Sequence, residues 1–260
     1  MRYCRFAISD GPKYGLIESI NGTDQITQIA PDAPLPDFAR AGRSAPVPLS
    51  SVSLLEPVRP SKILCVGRNY ADHAKELGNE VPAEPLLFFK PPTSLLPPGG
   101  TILMPGTLSQ RVEYEGELTL VIGRTCRNLG DGEDVRPYVF GYTCANDVTA
   151  RDLQKKDGQW WRAKGFDTFC PVGPIVSDEI DPWAGVQVET RVNGALKQSA
   201  STKIFIFSLE RIIRHITQVM TLLPGDIVLT GTPAGVGPLS PGDEVSVTIE
   251  GIGTLSNPVK

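Results

Sequence analysis

Residues 112–118 read Val112-Glu113-Tyr114-Glu115-Gly116-Glu117-Leu118, and an alternating, β-branched run continues from them to Ile122. This pattern predicts a strand. Because side chains alternate faces along a strand that rises roughly 3.3 Å per residue, Glu115 and Glu117 would stand on one face with their Cα atoms about 7 Å apart. Two carboxylates placed in this way can converge on one cation. Glu113 would lie on the same face and could compete for the ligand role.

The alternative interpretation of this acidic strand is a solvated sheet edge, where charged side chains discourage pairing with another sheet. The composition of the chain excludes one kind of metal site. There are two histidines, His73 and His215, and the five cysteines show no C-x-x-C spacing, so a zinc site built from nitrogen and sulfur is not expected. A metal bound here would be a hard cation held by oxygen, such as Mg²⁺, Mn²⁺ or Ca²⁺.

The composition predicts a globular protein that acts on small molecules. The chain has 260 residues, of which 40% are hydrophobic and 21% charged, which is ordinary for a folded domain. A net charge of −4 and a pI near 5.3, with no run of Lys or Arg, argue against nucleic acid or an anionic membrane as the partner. The N-terminus lacks a signal peptide, no stretch reaches the ~20 apolar residues of a spanning helix, and the cysteines show no disulfide framework. We therefore expect a cytoplasmic protein with free thiols.

Many short β-like runs are punctuated by 26 glycines and 24 prolines, which predicts a sheet-rich fold with few helices. Residues 1–58 carry weak strand signals followed by a Pro-rich passage, and we interpret them as a small N-terminal β module and linker. Residues 59–260 would form the main domain, starting with a buried strand at Ile63–Val66. A hairpin is predicted at Asn193-Gly194, because this dipeptide tolerates the positive φ angles of a type I′ turn.

One long helix is predicted from Ser208, as its N-cap, to about Leu222, before Pro224-Gly225. Apolar residues recur along it at helical spacing. The stripe consists of Leu209, Ile212, Ile213, Ile216, Val219, Met220 and Leu223. His215 lies off this stripe and is expected to be an ordinary surface histidine.

A second, shorter helix is predicted over residues 70–77, with Asn69 as its cap and Gly78 as its stop. His73 and Glu76 would share one face of it at i and i+3. A carboxylate in this position can orient the imidazole and support it as a general base that takes a proton from water. The alternative is a common surface pair of little energetic consequence.

Taken together, six motifs occur in the order and spacing of the fumarylacetoacetate hydrolase family. They are Gly67-Arg-Asn-Tyr-Ala-Asp-His73, Phe88-Phe89-Lys90-Pro91, Tyr114-Glu115-Gly-Glu117-Leu, Ala145-Asn-Asp147-Val-Thr-Ala-Arg151-Asp152-Leu-Gln154, Ala163-Lys164-Gly-Phe-Asp167-Thr and Leu229-Thr-Gly-Thr232-Pro-Ala-Gly-Val-Gly237. The resemblance covers roughly residues 61–258. The chain most resembles the short members, which include acylpyruvate hydrolases, oxaloacetate decarboxylases and the isomerase-decarboxylase of homoprotocatechuate breakdown.

The resemblance implies a metal centre and a catalytic lid. Glu115, Glu117 and Asp147 match the residues that hold a Mg²⁺ or Mn²⁺ ion, which leaves Glu113 outside the ligand set. His73 and Glu76 match the dyad on a mobile lid. Lys164 matches the lysine beside the reacting carbonyl.

It also implies a set of substrate contacts. Gln154 matches a polar group beside the substrate, and Thr232 matches the threonine whose glycine-rich loop receives the substrate carboxylate. Glycines at 231, 235 and 237 would let backbone N–H groups approach an anion, although a plain β-turn remains the alternative. Arg68 could contact an anionic substrate or form a surface ion pair. Arg151 is expected to support the site structurally.

The fold implied by the resemblance and the strand pattern is α+β, dominated by mixed β-sheet in a β-roll or sandwich, in a family that commonly forms homodimers. The longer tyrosine-pathway members have one more acidic ligand before the lid histidine, and residues 63–67 contain no acid, which argues against fumarylacetoacetate itself as the substrate. We expect a metal-dependent hydrolase that cleaves the C–C bond of an acylpyruvate, a 2,4-dioxo acid, through a metal-bound enolate. The alternatives are an oxaloacetate decarboxylase and a 2-hydroxyhepta-2,4-diene-1,7-dioate isomerase of aromatic catabolism. A non-enzymatic metal-containing protein is disfavoured by Lys164 and the lid dyad.

Overall fold

The computed structural model describes all 260 residues and contains nineteen strands and four helices. The strands are β1 (Arg2–Ile8), β2 (Gly11–Ile20), β3 (Thr23–Pro31), β4 (Arg43–Pro48), β5 (Ser53–Leu55), β6 (Ile63–Gly67), β7 (Leu86–Lys90), β8 (Leu95–Leu96), β9 (Val112–Tyr114), β10 (Gly116–Ile122), β11 (Val139–Asn146), β12 (Thr149–Ala150), β13 (Cys170–Ser177), β14 (Gln187–Val192), β15 (Ala195–Ser201), β16 (Ile227–Leu229), β17 (Gly237–Pro238), β18 (Glu244–Ile249) and β19 (Gly253–Pro258). The helices are α1 (Ala71–Glu76), α2 (Arg151–Asp157), α3 (Trp161–Lys164) and α4 (Leu209–Val219). The predicted α+β fold with few helices is confirmed.

The strands form three sheets. The largest has 12 strands in the order β4-β3-β2-β1-β13-β11-β10-β16-β6-β7, with β5 paired to β1 and β8 paired to β13. A sheet of three strands has the order β12-β9-β17, and a sheet of four has the order β15-β14-β18-β19. Most pairs are antiparallel, whereas β16 with β6 and β13 with β8 are parallel, so the predicted mixed sheet is confirmed.

Strand β10, which contains Glu117, lies inside the large sheet and is buried along its whole length. It pairs with β11 on one side and β16 on the other. Leu118, Leu120 and Ile122 pack into one hydrophobic cluster, while Val121 points into a second cluster on the opposite face. A strand covered on both faces carries a nearly continuous apolar run, which explains the sequence that follows Glu117.

Helix α4 covers one face of this sheet together with the four-stranded sheet. Its side chains at Leu209, Ile212, Ile213 and Ile216 are buried in the same cluster as Leu118. Burial of each such side chain stabilises the fold by about 1.5–3 kcal/mol. The Ser208 hydroxyl accepts a hydrogen bond from the Arg211 N–H at 3.2 Å, which confirms the predicted N-cap.

The predicted end of this helix is wrong. The helix ends at Val219, Met220 is already extended, and the side chains of Val219 and Leu223 are exposed rather than part of the apolar stripe. The backbone of Leu222 instead exchanges two hydrogen bonds with Cys126, which turns the Leu222 side chain into the core. A backbone partner 96 positions away in the chain is invisible to helical periodicity, which is why the prediction failed.

The cap of the short helix is also different from the prediction. Tyr70, not Asn69, occupies the N-cap position of α1. The Asn69 side chain is fully buried and donates to the carbonyls of Phe207 and Thr230, while its oxygen accepts from the Phe207 N–H. Asn69 thus ties the base of the helix to two distant segments. Gly78 follows the helix with φ of 69°, as expected of a stop.

The strands predicted in residues 1–58 are present as β1, β2 and β3. They extend the large sheet, because Arg2 and Tyr3 of β1 pair with Ser177 and Val176 of β13. The division at residue 58 into two units stays a prediction.

Other local predictions can be compared with the structure directly. Asn193 and Gly194 have φ angles of 51° and 79° and join β14 to β15, which confirms the predicted hairpin. All five cysteines are free and buried. None of the helices has the length and apolar character required to cross a bilayer.

Candidate active site and metal centre

The chain segment 112–118 passes from one sheet into another at Glu115. Strand β9, just before it, pairs with β12 and β17, whereas β10, just after it, pairs with β11 and β16. Gly116 permits this transition because a Cβ at that position would lie 2.0 Å from the Thr190 hydroxyl oxygen. The glycine between the two glutamates is therefore required by packing.

Three carboxylates meet at this point. The backbone N–H of Asp147, directly after β11, donates to the Glu115 carbonyl at 2.8 Å, which brings the end of β11 to the start of β10. One oxygen each of Glu115, Glu117 and Asp147 lies within 4.8 Å of the others, and all three residues are buried. Glu113 does not belong to this group, because its carboxylate pairs with Arg111 and Arg151. The solvated-edge interpretation is thereby wrong.

Buried cations surround the carboxylates. The Lys164 ammonium lies 2.8 Å from both Glu115 and Asp147. Lys90 donates to the other oxygen of Asp147 at 2.6 Å and to the Val148 carbonyl at 3.2 Å. Each of these lysines is at most 2% exposed, so their charges are balanced by carboxylates rather than by water.

Arg151 extends this network away from the metal centre. Its guanidinium donates to Glu115 at 2.5 Å, to Glu113 at 2.6 Å and to the Gln154 amide oxygen at 2.5 Å. The structural role expected for Arg151 is therefore confirmed. Because Gln154 accepts through its oxygen, its amide NH₂ group is left to donate elsewhere.

The pKa values of the charged groups in this cluster are shifted in different directions. Burial alone would raise the pKa of Glu115, but Lys164, Arg151 and His73 hold it well below its ordinary value. Burial would lower the pKa of Lys164, yet Asp147 and Glu115 outweigh that effect and raise it, so the ammonium stays charged.

Glu117 is the exception, since no cationic side chain bonds to it. It accepts only the Gly231 N–H, at 2.6 Å, and its pKa is raised well above the ordinary value by burial and by the charges of Asp147 and Glu115. Three convergent carboxylates, one of them without a counter-charge, form the donor set expected for a hard divalent cation. The residues present therefore fit such an ion.

The lid residues lie above this centre. His73 is buried, and burial, with smaller effects from its charged neighbours, lowers its pKa. Its Nδ1 lies 3.5 Å from the nearer Glu76 oxygen and has no hydrogen-bond partner. The Glu76 carboxylate instead accepts the Gly235 N–H at 3.1 and 3.2 Å. The two residues are adjacent, but the hydrogen bond of a working dyad is not formed in this conformation.

The glycine-rich loop has the backbone that the sequence predicts, with φ of 99° at Gly231 and 103° at Gly235. However, the N–H groups of these two glycines donate to Glu117 and Glu76. The Thr232 hydroxyl donates to the Gly116 carbonyl at 2.9 Å and accepts from Gln198. The loop therefore binds carboxylates of the protein itself in this conformation.

Eight of the nine predicted site residues line one pocket, and Glu76 is the exception. The eight are Arg68, His73, Glu115, Glu117, Asp147, Gln154, Lys164 and Thr232. The pocket is narrow in this conformation, and the buried side chains of His73 and Lys164 lie in its wall. The catalytic and binding roles of these residues stay predictions.

Sequence reasoning missed three contributors to the site. Lys90 lies within one of the six motifs with no role assigned to it, although it is a buried partner of Asp147. Trp160 lines the pocket, and Gln198 holds Thr232 in place. A lysine at the end of the apolar strand β7 is the only local signal for Lys90, and neither Trp160 nor Gln198 lies in a recognisable motif.

Comparisons with known proteins agree with this geometry. Residues 62–260 match the fumarylacetoacetate (FAA) hydrolase C-terminal family, and residues 1–57 match the Rv2993c-like N-terminal family. Oxaloacetate tautomerase YisK of Bacillus subtilis is 43% identical over 224 residues, covering 81% of this chain and 74% of that protein. Mitochondrial oxaloacetate tautomerase fahd2 of Xenopus laevis is 39% identical over 289 residues, covering 100% of this chain and 90% of that protein.

A solved structure is also similar. The crystal structure of 2-hydroxyhepta-2,4-diene-1,7-dioate isomerase from Mycobacterium marinum aligns with a TM-score of 0.87 and 46% identity, covering 100% of this chain and 98% of that one. Since the first family match spans well over half of the residues, and the motifs of that family meet at one buried centre, the chain belongs to the fumarylacetoacetate hydrolase family.

Proposed function

We propose that this protein is a metal-dependent enzyme that moves a proton at C3 of a small 2-oxo acid and thereby interconverts its keto and enol forms. The observation that carries the proposal is the position of His73, a buried imidazole in the wall of the pocket that contains the three carboxylates. The names of the relatives agree with this chemistry, since two are oxaloacetate tautomerases and a third is a dienedioate isomerase. The acylpyruvate hydrolase expected from the sequence becomes the second candidate.

The proposed cofactor is Mg²⁺ or Mn²⁺, held by Glu115, Glu117 and Asp147. Members of the family commonly bind a divalent metal, and Glu117, a buried carboxyl group with no cationic side chain bonded to it, supports one here. When bound, such an ion supplies a Lewis acid that makes the C3 proton of a chelated 2-oxo acid more acidic.

His73 is the proposed base. Its lowered pKa keeps the imidazole neutral near pH 7, as a base requires. Nδ1 is buried against Glu76, which leaves Nε2 as the nitrogen available to the substrate. In the proposed step, Nε2 takes the proton from C3, and the proton is delivered to the 2-oxygen to complete the enol. No bond other than C–H and O–H is made or broken.

Lys164 stabilises the charge that develops in this step. Its pKa is raised, so it remains an ammonium beside Glu115 and Asp147 and can donate to the enolate oxygen. The NH₂ group of Gln154, left uncommitted by its bond with Arg151, is a second donor for a substrate oxygen.

Hydrolysis of an acylpyruvate is the second candidate, and the proximity of His73 to Glu76 favours it. Activation of water would require Glu76 to exchange its bonds with the Gly235 N–H for a bond with His73. Proton transfer at C3 needs no such exchange. This difference is the structural reason for the order of the two candidates.

The test measures conversion of oxaloacetate between keto and enol forms by ultraviolet absorbance, with Mg²⁺ or Mn²⁺ present. His73→Ala should lower the catalysed rate by roughly 10² to 10⁴-fold, the usual contribution of a general base. His215→Ala is the matched control and should retain the parental rate. An unchanged rate in His73→Ala would remove His73 from the mechanism, and no catalysis by the parent would refute the proposed function.

Glu76→Gln separates the two candidates. Because the base for proton transfer is His73, this variant should retain most of the keto–enol activity and lose acylpyruvate cleavage. If the parent cleaves acetylpyruvate much faster than it interconverts oxaloacetate, hydrolysis becomes the preferred function.

A further inference from the structure

We propose that Arg68, held by Trp160, forms a subsite for a second carboxylate, so that the enzyme selects 2-oxo dicarboxylic acids over 2-oxo monocarboxylic acids. The inference rests on the proposed function, because it assigns the far end of the same substrate. Arg68 lines the pocket that contains the carboxylate cluster and also the groove immediately outside it.

Arg68 differs from the other cations of the pocket in that none of its donors is committed. Arg151 is bonded to Glu113, Glu115 and Gln154, and Lys164 is bonded to Glu115 and Asp147. The Arg68 guanidinium makes no hydrogen bond or ion pair and lies over the aromatic ring of Trp160. It is therefore the cation of the pocket whose whole guanidinium is available to an anion.

The backbone and the neighbouring ring fix the position of this side chain. Arg68 has φ of 59°, a left-handed conformation that costs a non-glycine residue free energy and is found disproportionately at functional sites. Its guanidinium carbon lies 5.8 Å from the centre of the Trp160 ring, a cation–π distance. A Cβ at Gly67 would lie 2.9 Å from that ring, so the glycine lets Trp160 pack against the strand.

The ring and the glycine together hold the guanidinium without using its N–H groups. A guanidinium presents paired N–H donors that match the two oxygens of a carboxylate, and stacking on a ring leaves those donors in its own plane. The chelating end of a 2-oxo acid is placed at the carboxylate cluster by the proposed function. A second carboxylate pointing to the mouth of the pocket then meets Arg68.

The experiment compares two substrates of equal carbon count with the Mn²⁺-loaded protein. Oxaloacetate carries the second carboxylate, whereas 2-oxobutanoate has a methyl group at that carbon. Exchange of the C3 protons with deuterated solvent, followed by NMR, gives kcat and KM for both. Arg68→Gln should lower kcat/KM for oxaloacetate by roughly 10- to 100-fold, mainly through KM, as for loss of a charged hydrogen bond, and should leave 2-oxobutanoate unchanged.

Two further variants act as controls. Arg68→Lys keeps the charge but not the paired donors and should recover only part of the loss. Arg136→Gln removes an exposed arginine that stacks on Trp183 at 5.3 Å, away from the pocket, and should behave as the parent.

Equal losses on both substrates, or no loss on either, would overturn the role of Arg68 while leaving the proposed function intact. A parent that exchanges neither substrate would instead refute the proposed function, and the assignment of Arg68 with it.

Discussion

Replacement of Lys90 by Met should destabilise the protein and change its response to divalent metal. The Lys90 ammonium is buried and lies 2.6 Å from one oxygen of Asp147. Met keeps much of the side-chain volume but removes the charge. Asp147 then retains Lys164, at 2.8 Å, on its other oxygen.

The size of the effect follows from burial. Removal of one partner of a buried ion pair costs about 3–5 kcal/mol, because the remaining charge is left without compensation. The bond retained with Lys164 places the expected loss near the lower end, about 3 kcal/mol. For a chain of this size each kcal/mol lowers Tm by about 2–4 °C, so Tm should fall by roughly 6–12 °C in metal-free buffer.

A divalent cation at Asp147 would replace the positive charge that the substitution removes. Two unit charges about 4 Å apart interact by about 4 kcal/mol at an effective dielectric constant of 20, so loss of the lysine should increase metal affinity. Metal that binds only the folded state raises its stability in proportion to RT ln(1 + [L]/Kd). Added Mn²⁺ should therefore raise the Tm of Lys90→Met more than that of the parent.

The assay is thermal unfolding with and without Mn²⁺, and Lys62→Met is the matched control. Lys62 also pairs with a buried carboxylate, Asp226, which keeps bonds from Ser61 and Leu223. This variant should lose less stability and respond to Mn²⁺ as the parent does. A parental Tm for Lys90→Met would contradict the burial argument, and an equal Mn²⁺ response would show that Lys90 does not act through charge at the metal centre.

Four other outcomes are expected. Asp147→Asn should abolish both turnover and the Mn²⁺-dependent rise in Tm. EDTA should abolish turnover of the parent protein, and full activity of a metal-free sample would exclude a role for metal. Because burial lowers the pKa of His73, kcat/KM should persist as pH falls through 6.5, the ordinary value, and decline only below it. Because His73 binds a proton less readily in the folded state than in the unfolded state, it should reduce the stability of the fold as pH falls below about 6.5. When Tm is measured over a series of pH values, His73→Ala should lack this loss. Asn69→Ala leaves buried groups of Phe207 and Thr230 unpaired and should cost about 3 kcal/mol or more, measurable by denaturant unfolding.

Local chemistry was sufficient where a structure depends on neighbours in the chain. The hairpin at Asn193-Gly194 needs two residues that accept positive φ, and helix α4 needs a cap at Ser208 and an apolar stripe. The two strand glutamates were also placed correctly beside each other. Glu113, however, does not continue the same strand face as Glu115 and Glu117, because the chain passes into a different sheet at Glu115.

Features that depend on distant partners could not be predicted in this way. Asn69 has the residue type of a helix cap, but the carbonyls it bonds lie 138 and 161 positions further along the chain. Lys90 reaches Asp147 only because β7 pairs with β6 at the edge of the large sheet. Local spacing contains neither relationship, so a buried network of this kind requires the fold.

The charges around the three convergent carboxylates affect how an anionic substrate can bind there. The buried carboxylates of this cluster belong to Glu113, Glu115, Glu117 and Asp147, and its buried cations to Lys90, Arg151 and Lys164. These four acids face three buried cations, and the more exposed Arg111 also pairs with Glu113, so the cluster is close to balanced in charge. Burial and the charges of Asp147 and Glu115 raise the pKa of Glu117, which has no cationic partner of its own. A divalent cation held by Glu115, Glu117 and Asp147 would add two positive charges here, so we expect metal to strengthen the binding of an anionic substrate. Arg68, outside the acidic cluster, is left to attract the second carboxylate.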